Sequence, residues 1–301
     1  MKNQNLLIEP WLDYELLDSG NNRKIERYGK FVLIRPETQA VWEPRNPELW
    51  KRAQAEFRFV GAKGIWKKID AKMPETWQLS WKDAQFSVRL GSFKHLGVFP
   101  EQAANWEWIE SRIKNLRSPK VLNLFGYTGI ASIVAAKAGL RHAEAGYGHA
   151  QAGAEVTHLD ASKQGNAWAK ENAELSEVPA GSVRYILDDA LAFVLREARR
   201  GAKYDGIILD PPAFGRGPKN EVWRIEEHLP KLLAEIEKIF SKQPGAFFLL
   251  NGYAAGYSAA SFSQAIAGVF PDTKGEFGEL QIAESHSDRV VPSGIYVRFV
   301  R

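Results

Sequence analysis

The 301-residue sequence contains no cysteine. This absence excludes disulfide bonds, zinc sites built on cysteine and any catalytic thiol, and it makes the cytoplasm the default compartment. The sequence also lacks an apolar run of about 18 residues, the length that a membrane-spanning helix needs, and its start has no apolar signal-peptide core. We therefore expect a cytoplasmic protein without a membrane span, and we find no residue spacing typical of a metal site.

From about residue 120 onward the sequence alternates short apolar runs with helical segments. The runs predict strands at 121–125, 153–160, 182–187, 204–210 and 246–251, with two final strands at 276–284 and 295–300. Strands that alternate with helices at this spacing are typical of a parallel sheet covered on both faces. We predict an α/β fold with a doubly wound, mostly parallel, seven-stranded sheet over residues 97–301.

Residues 1–96 predict a smaller β-rich domain, which is a candidate for substrate recognition. Short apolar segments alternate there with turn residues, and basic residues stand among aromatic ones. Such a mixture is typical of a single-stranded nucleic-acid surface. The alternative is that the aromatic rings form a small β core while the lysines face water. The residues concerned are Arg58, Lys63, Lys67, Lys68 and Lys72, among Phe57, Phe59 and Trp66.

The segment after the first predicted strand turns at Gly126 and Gly129 and continues as an alanine-rich helix. Glycines allow a backbone to approach a ligand closely, and the start of a helix offers unpaired N–H groups. The spacing differs from the Gly-x-Gly-x-x-Gly of dinucleotide sites, and no Lys-Ser/Thr phosphate loop follows. An ATPase or a nicotinamide enzyme is therefore disfavoured. A tight turn without a ligand is the alternative interpretation.

Carboxylates follow the next two strands. Asp160 stands where a carboxylate accepts both hydroxyls of a ribose, and Asp188 stands where one accepts the amine of an adenine. Helix capping is the alternative for each, and Ser162 competes with Asp160 for it. A ligand with a ribose and an adenine but no phosphate is S-adenosylmethionine (SAM), which we predict as the cofactor.

The motif Asp210-Pro211-Pro212-Ala213-Phe214 follows the fourth strand. Two prolines fix the backbone and leave carbonyl oxygens as acceptors, so the motif predicts a rigid shelf. Its carboxylate can hold the amino group of a flat base, and Phe214 can stack on the ring, as an extruded nucleotide requires. A structural turn with a core phenylalanine is the alternative.

Together these motifs resemble the class I SAM-dependent methyltransferases, and among them the ribosomal RNA large-subunit methyltransferase I and K/L group. Residues 97–102, Gly-Val-Phe-Pro-Glu-Gln, are similar to a segment that lies against the cofactor in that family, although the arginine that follows there is Ala103 here. The resemblance implies a catalytic set of Asp210, Pro211, Pro212 and Phe214. It implies a cofactor-binding set of Phe99, Gln102, Asn123, Phe125, Gly126, Tyr127, Thr128, Gly129, Asp160, Ala161, Ser162, Asp188 and Asp189.

Members of the family that make 5-methylcytosine use a cysteine near the end of the fifth strand, where this sequence has Leu250-Asn251-Gly252. We therefore predict methylation of a nitrogen in an RNA base, with ribosomal RNA as the leading substrate, by a mechanism without a thiolate. The alternatives are a methyltransferase for a small molecule or a protein side chain, and a non-catalytic cofactor-binding adaptor. The sequence assigns no role to residues 135–155.

Overall fold

The computed structural model describes residues 1–61, 63–144, 153–253, 256–271 and 273–301. The chain divides into two compact units. We call one the α/β unit, which comprises Met1–Asn5, Asn105–Glu279 and Gly294–Arg301; the other is the β unit, which comprises Leu6–Ala104 and Leu280–Ser293. The predicted boundary between residues 96 and 97 stays a prediction. Pairing of residues 2 and 3 with residues 276 and 277 draws the first five residues to the α/β unit.

The regular elements in the first third of the chain are mostly strands, as predicted. In chain order its elements are β1 (Lys2–Asn3), β2 (Leu6–Ile8), β3 (Tyr14–Gly20), β4 (Arg23–Tyr28), β5 (Phe31–Pro36), α1 (Pro47–Trp50), β6 (Ala55–Val60), β7 (Lys63–Lys68), β8 (Thr76–Trp81), β9 (Ala84–Arg89) and the 3-10 helix Pro100–Gln102. Strands β3 to β7 form one sheet in sequence order, in which only β5 and β6 pair parallel, and β8 pairs with β9.

The rest of the chain alternates helices with strands. Its elements are α2 (Ala103–Ile113), β10 (Lys120–Leu124), α3 (Ile130–Glu144), β11 (Glu155–Asp160), α4 (Lys163–Leu175), β12 (Val183–Leu187), α5 (Ala190–Arg199), β13 (Gly206–Leu209), β14 (Phe214–Arg216), β15 (Val222–Arg224), α6 (Ile225–Ile239), β16 (Phe247–Gly252), α7 (Ala259–Val269), β17 (Gly275–Ala283) and β18 (Val290–Val300). The segment 135–155 is helical as far as Glu144, and residues 145–152 lie outside the described residues.

The large sheet runs in the order β1-β17-β18-β16-β13-β10-β11-β12, and β2 pairs with β17 beside this path. The strand pairs from β16 to β12 are parallel, and β18 is antiparallel to β16, which confirms the mostly parallel sheet. The described part of the sheet has nine strands where the sequence predicts seven. The two additional strands, β1 and β2, are only two and three residues long, too short for an apolar pattern to reveal.

Both faces of this sheet are covered, as the fold class requires. Leu122 and Leu124 of β10 pack in the apolar cluster that contains side chains of α5, α6 and α7. Val121 points the other way and packs with side chains of α2 and α3. In the sheet β10 lies between β11 and β13, and both of these strands come after it in the chain. The chain therefore runs in opposite directions across the sheet from β10, and the loop after β10 lies at the topological switch point. Ligands bind at such a point in doubly wound sheets.

Among the described helices, none is both long enough and apolar enough to cross a membrane.

Candidate active site

The loop between β10 and α3 has an unusual backbone. Phe125 and Tyr127 both have left-handed conformations, with φ angles of 59° and 48°, and Gly129 follows with a φ of 81°. Non-glycine residues adopt such angles at a cost, and they keep them only where surrounding contacts hold them. Here the N–H of Gly129 donates to the carbonyl of Gly126 at 2.9 Å, and buried Asn172 donates its Nδ2 to the carbonyl of Thr128 at 2.9 Å.

The two glycines of this loop are needed for packing inside the protein. A β-carbon on Gly126 would lie 2.4 Å from Cε1 of His158, and one on Gly129 would lie 2.7 Å from Cβ of Ala169 in α4. Real β-carbons do not approach other atoms so closely, so larger residues would displace the loop. From the sequence we predicted that these glycines allow a ligand to come close to the backbone. The structure shows that they also allow β11 and α4 to pack against the loop.

A buried polar network supports the loop from below. Asn123 donates its Nδ2 to Oγ of Ser132 at 2.9 Å, and the same Oγ lies 3.0 Å from Nδ1 of His158. Burial lowers the pKa of His158 to about 4, so its ring is neutral near pH 7. Asn123, which the resemblance assigns to the cofactor, is buried within this network. His158 and Ser132 were not singled out in the sequence, where a lone histidine in an apolar strand gives little signal.

Asp160 ties the loop to the neighbouring strand. Its Oδ2 accepts the N–H of Tyr127 at 2.8 Å, and its Oδ1 accepts the N–H of Ser162 at 2.7 Å. Burial raises the pKa of this carboxyl, and the two hydrogen bonds oppose that effect. Each carboxylate oxygen retains a lone pair for another donor. Asp160 is only partly buried, as is the adjacent Ala161.

The N-terminal caps of α4 and α5 are residues that follow Asp160 and Asp188 closely in the chain. Ser162 caps α4 by accepting the N–H of Gly165 at 3.0 Å, and Asp189 caps α5 by accepting the N–H of Ala192 at 2.8 Å. Asp188 instead forms an ion pair with Arg196 and accepts the N–H of Asp189. An adenine amine would therefore share the Asp188 carboxylate with these partners.

The proline motif follows β13, and its last residue, Phe214, begins the small hairpin formed by β14 and β15. Asp210 donates its N–H to the carbonyl of Leu124 at 3.3 Å, which joins the ends of β13 and β10. Pro211 is buried and Pro212 is exposed. The side chain of Phe214 is 56% exposed, so it is not a core residue.

Trp223 connects this shelf with the loop after β10. Its Nε1 donates to the carbonyl of Pro212 at 2.7 Å, and its ring centroid lies 4.8 Å from that of Phe125. The carbonyl of Ala213 also accepts an internal hydrogen bond, from the N–H of Ile225 at 3.1 Å. From the sequence we predicted that the carbonyl oxygens of the proline motif would be free to accept hydrogen bonds from a ligand. The carbonyls of Pro212 and Ala213 instead accept hydrogen bonds from within the protein. Trp223 was missed because its partner precedes it by eleven residues across a hairpin.

The end of β16, where the family resemblance led us to look for a cysteine, carries Asn251 in a buried amide network. Oδ1 of Asn251 accepts from Nδ2 of Asn105 at 2.9 Å, and Oδ1 of Asn105 accepts from Nη1 of Arg298 at 3.1 Å. These contacts hold the end of β16 against α2 and β18.

Phe99 and Gln102 belong to the β unit. Gln102 is buried at the end of the 3-10 helix, and Phe99 lies 5.3 Å from His95 between ring centroids. Their predicted place beside the cofactor stays a prediction. Within the described ranges, no group of three or more His, Cys, Asp or Glu side chains is placed to hold a metal ion.

No protein-family profile matches the sequence. Curated relatives include two proteins named ribosomal RNA large subunit methyltransferase K/L. The protein from Shewanella frigidimarina is 24% identical over 272 residues, which make up 81% of this chain and 36% of that protein. The protein from Alteromonas mediterranea is 28% identical over 248 residues, which make up 82% of this chain and 31% of that protein. The chain thus spans about a third of the length of these relatives.

Solved structures give a fuller match. A SAM-dependent methyltransferase from Agrobacterium tumefaciens is 39% identical, has a TM-score of 0.88 and covers 99% of this chain and 95% of its own. A protein from Streptococcus mutans shares the fold at 17% identity, with a TM-score of 0.71 and coverage of 96% and 75%. The chain belongs to the SAM-dependent methyltransferases, as its motifs predicted; it is an enzyme of that class, and its cofactor is SAM.

The residues of the site fit this cofactor. The carboxylate of Asp160 is fixed by two backbone N–H groups, is only partly buried, and keeps lone pairs for further hydrogen-bond donors, as a ligand with hydroxyl groups requires. Through the N–H of Tyr127 it contacts the loop after β10, which lies at the switch point of the sheet, where ligands bind in this fold class.

Proposed function

We propose that the enzyme transfers the methyl group of SAM to a nitrogen atom of a base in RNA, with ribosomal RNA as the leading substrate. The observation that carries this proposal is the shelf of residues 210–214 at the carboxyl end of β13. Its backbone is fixed by two prolines and by Trp223, and it carries a carboxylate at residue 210 and an exposed aromatic ring at residue 214. The names of the curated relatives support ribosomal RNA. A cytoplasmic location, predicted from the cysteine-free sequence, fits that substrate.

The cofactor-binding residues are proposed from the loop after β10 and the ends of β11 and β12. The loop at residues 125–129 would face the methionine part of SAM, Asp160 its ribose and Asp188 its adenine. Phe99 and Gln102 would border it. Ala161, Ser162 and Asp189 would flank these positions. The turns after β11 and β12 are shaped by the helix caps at Ser162 and Asp189.

The shelf would orient the substrate. Phe214 would stack on the base, because its ring is exposed and its neighbours in β14 and β15 hold its backbone. The carbonyls of Pro212 and Ala213 already accept internal hydrogen bonds, so we assign recognition of the substrate N–H to the Asp210 carboxylate.

Held by the loop at residues 125–129 and by Asp160, SAM would supply an electrophilic methyl group to the lone pair of the substrate nitrogen and would leave as S-adenosylhomocysteine, which keeps the electron pair of the broken carbon–sulfur bond. The nitrogen then loses its proton, and Asp210 would receive it. Alignment of the two reactants carries such a transfer, with modest need for acid–base help. A covalent adduct with the base is not part of this mechanism, because the chain has no cysteine.

The test is methyl transfer from radiolabelled SAM to ribosomal RNA purified from cells that lack this enzyme. We expect label in the large-subunit RNA, and digestion to nucleosides followed by mass spectrometry should locate it on a base nitrogen. Label on a ring carbon would overturn the nitrogen assignment. Label only in the small-molecule or protein fraction of the same cells would overturn the RNA assignment.

A further inference from the structure

The β14–β15 hairpin continues the proline motif, and its two faces have different surroundings. Gly215 pairs with Trp223, and Trp223 is buried with its ring against Phe125 of the loop after β10. Side chains alternate between the two faces of a strand, and residues that pair directly share a face. The neighbours of this pair therefore share the opposite face, and all of them are exposed: Phe214, Arg216, Val222 and Arg224.

The exposed face combines an aromatic ring with arginine side chains. Phe214, to which we assign stacking on the substrate base, pairs directly with Arg224, and Arg216 stands two residues further along the same strand. Directly paired residues have Cβ atoms roughly 5 Å apart, and residues two apart on one strand are separated by roughly 7 Å. Long arginine side chains span such distances, so they can reach the phosphates next to a base that is stacked on Phe214.

A closed turn at the tip of the hairpin presents a further basic residue. The N–H of Gly217 donates to the carbonyl of Glu221 at 2.8 Å, and the N–H of Asn220 donates to the carbonyl of Gly217 at 3.0 Å. Asn220 has a left-handed φ of 66°, a conformation that such contacts hold in place. Lys219 is exposed within this turn. The hydrogen bonds of the turn therefore fix the position from which Lys219 extends.

Acidic residues near the hairpin leave two of its cations unpaired. The carboxylate of Glu221 accepts the N–H of Lys219 at 2.8 Å, so it belongs to the turn. In α6, Glu227 pairs with Arg224 at 2.9 Å, and this hydrogen bond, with Glu226 nearby, raises the pKa of Arg224. Among the residues that the structure describes, neither Arg216 nor Lys219 forms an ion pair.

A nucleic-acid strand fits this combination of groups. Sites for single strands combine rings on which bases stack with cations that follow the backbone. Here Arg216 shares a face with the ring of Phe214, and Lys219 stands at the tip of the same hairpin. A free base or a nucleoside has no phosphate for these cations to bind, whereas a strand brings one phosphate with each nucleotide.

We propose that Arg216 and Lys219 hold phosphates of the RNA strand next to the base that Phe214 receives. The proposal rests on the proposed function and deepens it, because it makes the substrate a polynucleotide rather than a free base or nucleoside. Arg224 contributes less, since Glu227 balances its charge. Contacts to phosphates carry no sequence information, so this surface would position the strand and leave recognition of the base to the shelf.

The test is the salt dependence of binding to a labelled oligouridine of about 12 nucleotides, measured by fluorescence anisotropy. For single strands, each phosphate contact contributes about 0.7 to the slope of log K against log salt. Arg216→Gln/Lys219→Gln should therefore make the slope shallower by about 1.4. The advantage of the unaltered enzyme over this variant should then fall about sevenfold between roughly 50 and 200 mM salt.

Two further variants separate a phosphate contact from other effects. Arg199→Gln/Lys242→Gln removes the same two side-chain types from exposed positions of the same unit that form no ion pair within the described ranges. Residues 199 and 242 precede the starts of β13 and β16, at the opposite edge of the sheet from the shelf, so this control should keep the slope. Arg216→Lys/Lys219→Arg retains both charges and should keep it as well.

Methylation of ribosomal RNA gives an independent readout. Arg216→Gln/Lys219→Gln should raise the KM for the RNA at least about fivefold at moderate salt, because binding to the strand is weakened. Its kcat and its Kd for S-adenosylhomocysteine should stay within a few-fold, since Asp210 and the loop after β10 are unaltered. The control Arg199→Gln/Lys242→Gln should leave all three quantities unchanged.

The proposal is overturned if Arg216→Gln/Lys219→Gln keeps the slope and the KM of the control, or if the unaltered enzyme does not bind oligouridine. It is also overturned if the enzyme methylates a protein of the same cells and this variant slows that reaction, because the hairpin then holds a protein substrate. Normal methylation of RNA by the variant would reject this surface alone. A shallower slope, with no methylation of RNA by the unaltered enzyme, would reject the proposed function alone.

Discussion

Gly126 lies directly against the ring of His158: a β-carbon on the glycine would stand 2.4 Å from Cε1 and 2.5 Å from Nδ1 of the imidazole. Gly126→Ala should therefore push the loop off β11, lower the free energy of unfolding by about 1–3 kcal/mol and weaken SAM binding. Thermal melting and calorimetric titration with SAM measure both effects. The matched control is Gly268→Ala in α7, where a β-carbon meets nothing within 4 Å. Equal behaviour of the two variants would contradict the packing role of Gly126.

The neutral state of His158 should make stability depend on pH. An unfolded histidine has a pKa of about 6.5, whereas burial lowers the pKa of folded His158 to about 4. The unfolded chain therefore binds a proton between these values that the folded chain does not. The stability linked to the neutral ring is complete above about pH 6.5 and is lost as the pH falls toward 4. At pH 5 the loss should be about 2 kcal/mol.

His158→Gln provides the comparison, because its side chain cannot titrate. Urea unfolding of both proteins at about pH 7.5 and about pH 5 should show their stability difference narrowing by about 2 kcal/mol at the lower pH. The pKa of His95 is also lowered to about 4, but His95 is present in both proteins and its effect cancels. A stability difference that does not change with pH would mean that His158 is charged or exposed in the folded chain.

Asp160→Asn should reduce affinity for SAM at least about tenfold, since an amide is a weaker acceptor for the two N–H groups that shape the site and for ribose hydroxyls. Melting with SAM, S-adenosylhomocysteine, ATP and NAD would show this, because a ligand at 100 times its Kd adds about 2.7 kcal/mol. Only the two sulfur nucleosides should stabilise the unaltered enzyme.

Asp205→Asn is the control for that experiment. Oδ2 of Asp205 also accepts a backbone N–H, from Lys120 at 2.9 Å, but it does so at the opposite ends of β10 and β13. This variant should lose stability without losing the SAM-induced shift. If both variants lost the shift equally, Asp160 would have only a structural role.

Asp210→Ala should lower kcat at least about 100-fold, the size expected when a group that receives a proton is removed. The affinity for S-adenosylhomocysteine should stay within a few-fold, since the loop after β10 and Asp160 are untouched. Single-turnover methylation and calorimetry separate the two quantities. A loss of cofactor affinity that matches the loss of rate would make Asp210 a cofactor-binding residue instead.

The fold and the outline of the site follow from local patterns. Apolar runs locate the strands, and a carboxylate directly after an apolar run locates a strand end, which is why Asp160 and Asp210 were found. His158, Trp223 and the pairing of β1 with β17 depend on contacts between distant parts of the chain. His158 faces a glycine 32 residues earlier, a relationship that neither residue type reveals.

Capping shows the same division between local and distant information. The sequence offers Asp160 and Ser162 as alternative caps of α4 and Asp188 as a possible cap of α5. The structure shows Ser162 as the cap of α4 and Asp189, which was not a candidate, as the cap of α5, which leaves Asp160 and Asp188 with other partners. The order of residues in the chain does not show which of several polar side chains near a helix start becomes the cap.

The chain passes between its two units four times, after residues 5, 104, 279 and 293. This has a consequence for how the units can be exchanged between related enzymes. A chimera joined at one point after residue 104 would combine one parent's β1 with the other parent's β17 and would divide the β unit between two parents. Exchanging residues 6–104 together with 280–293 keeps each unit from a single parent. Such an exchange moves two segments at once, and its junctions after residues 279 and 293 fall within β17 and β18, so the parents must match in these two strands.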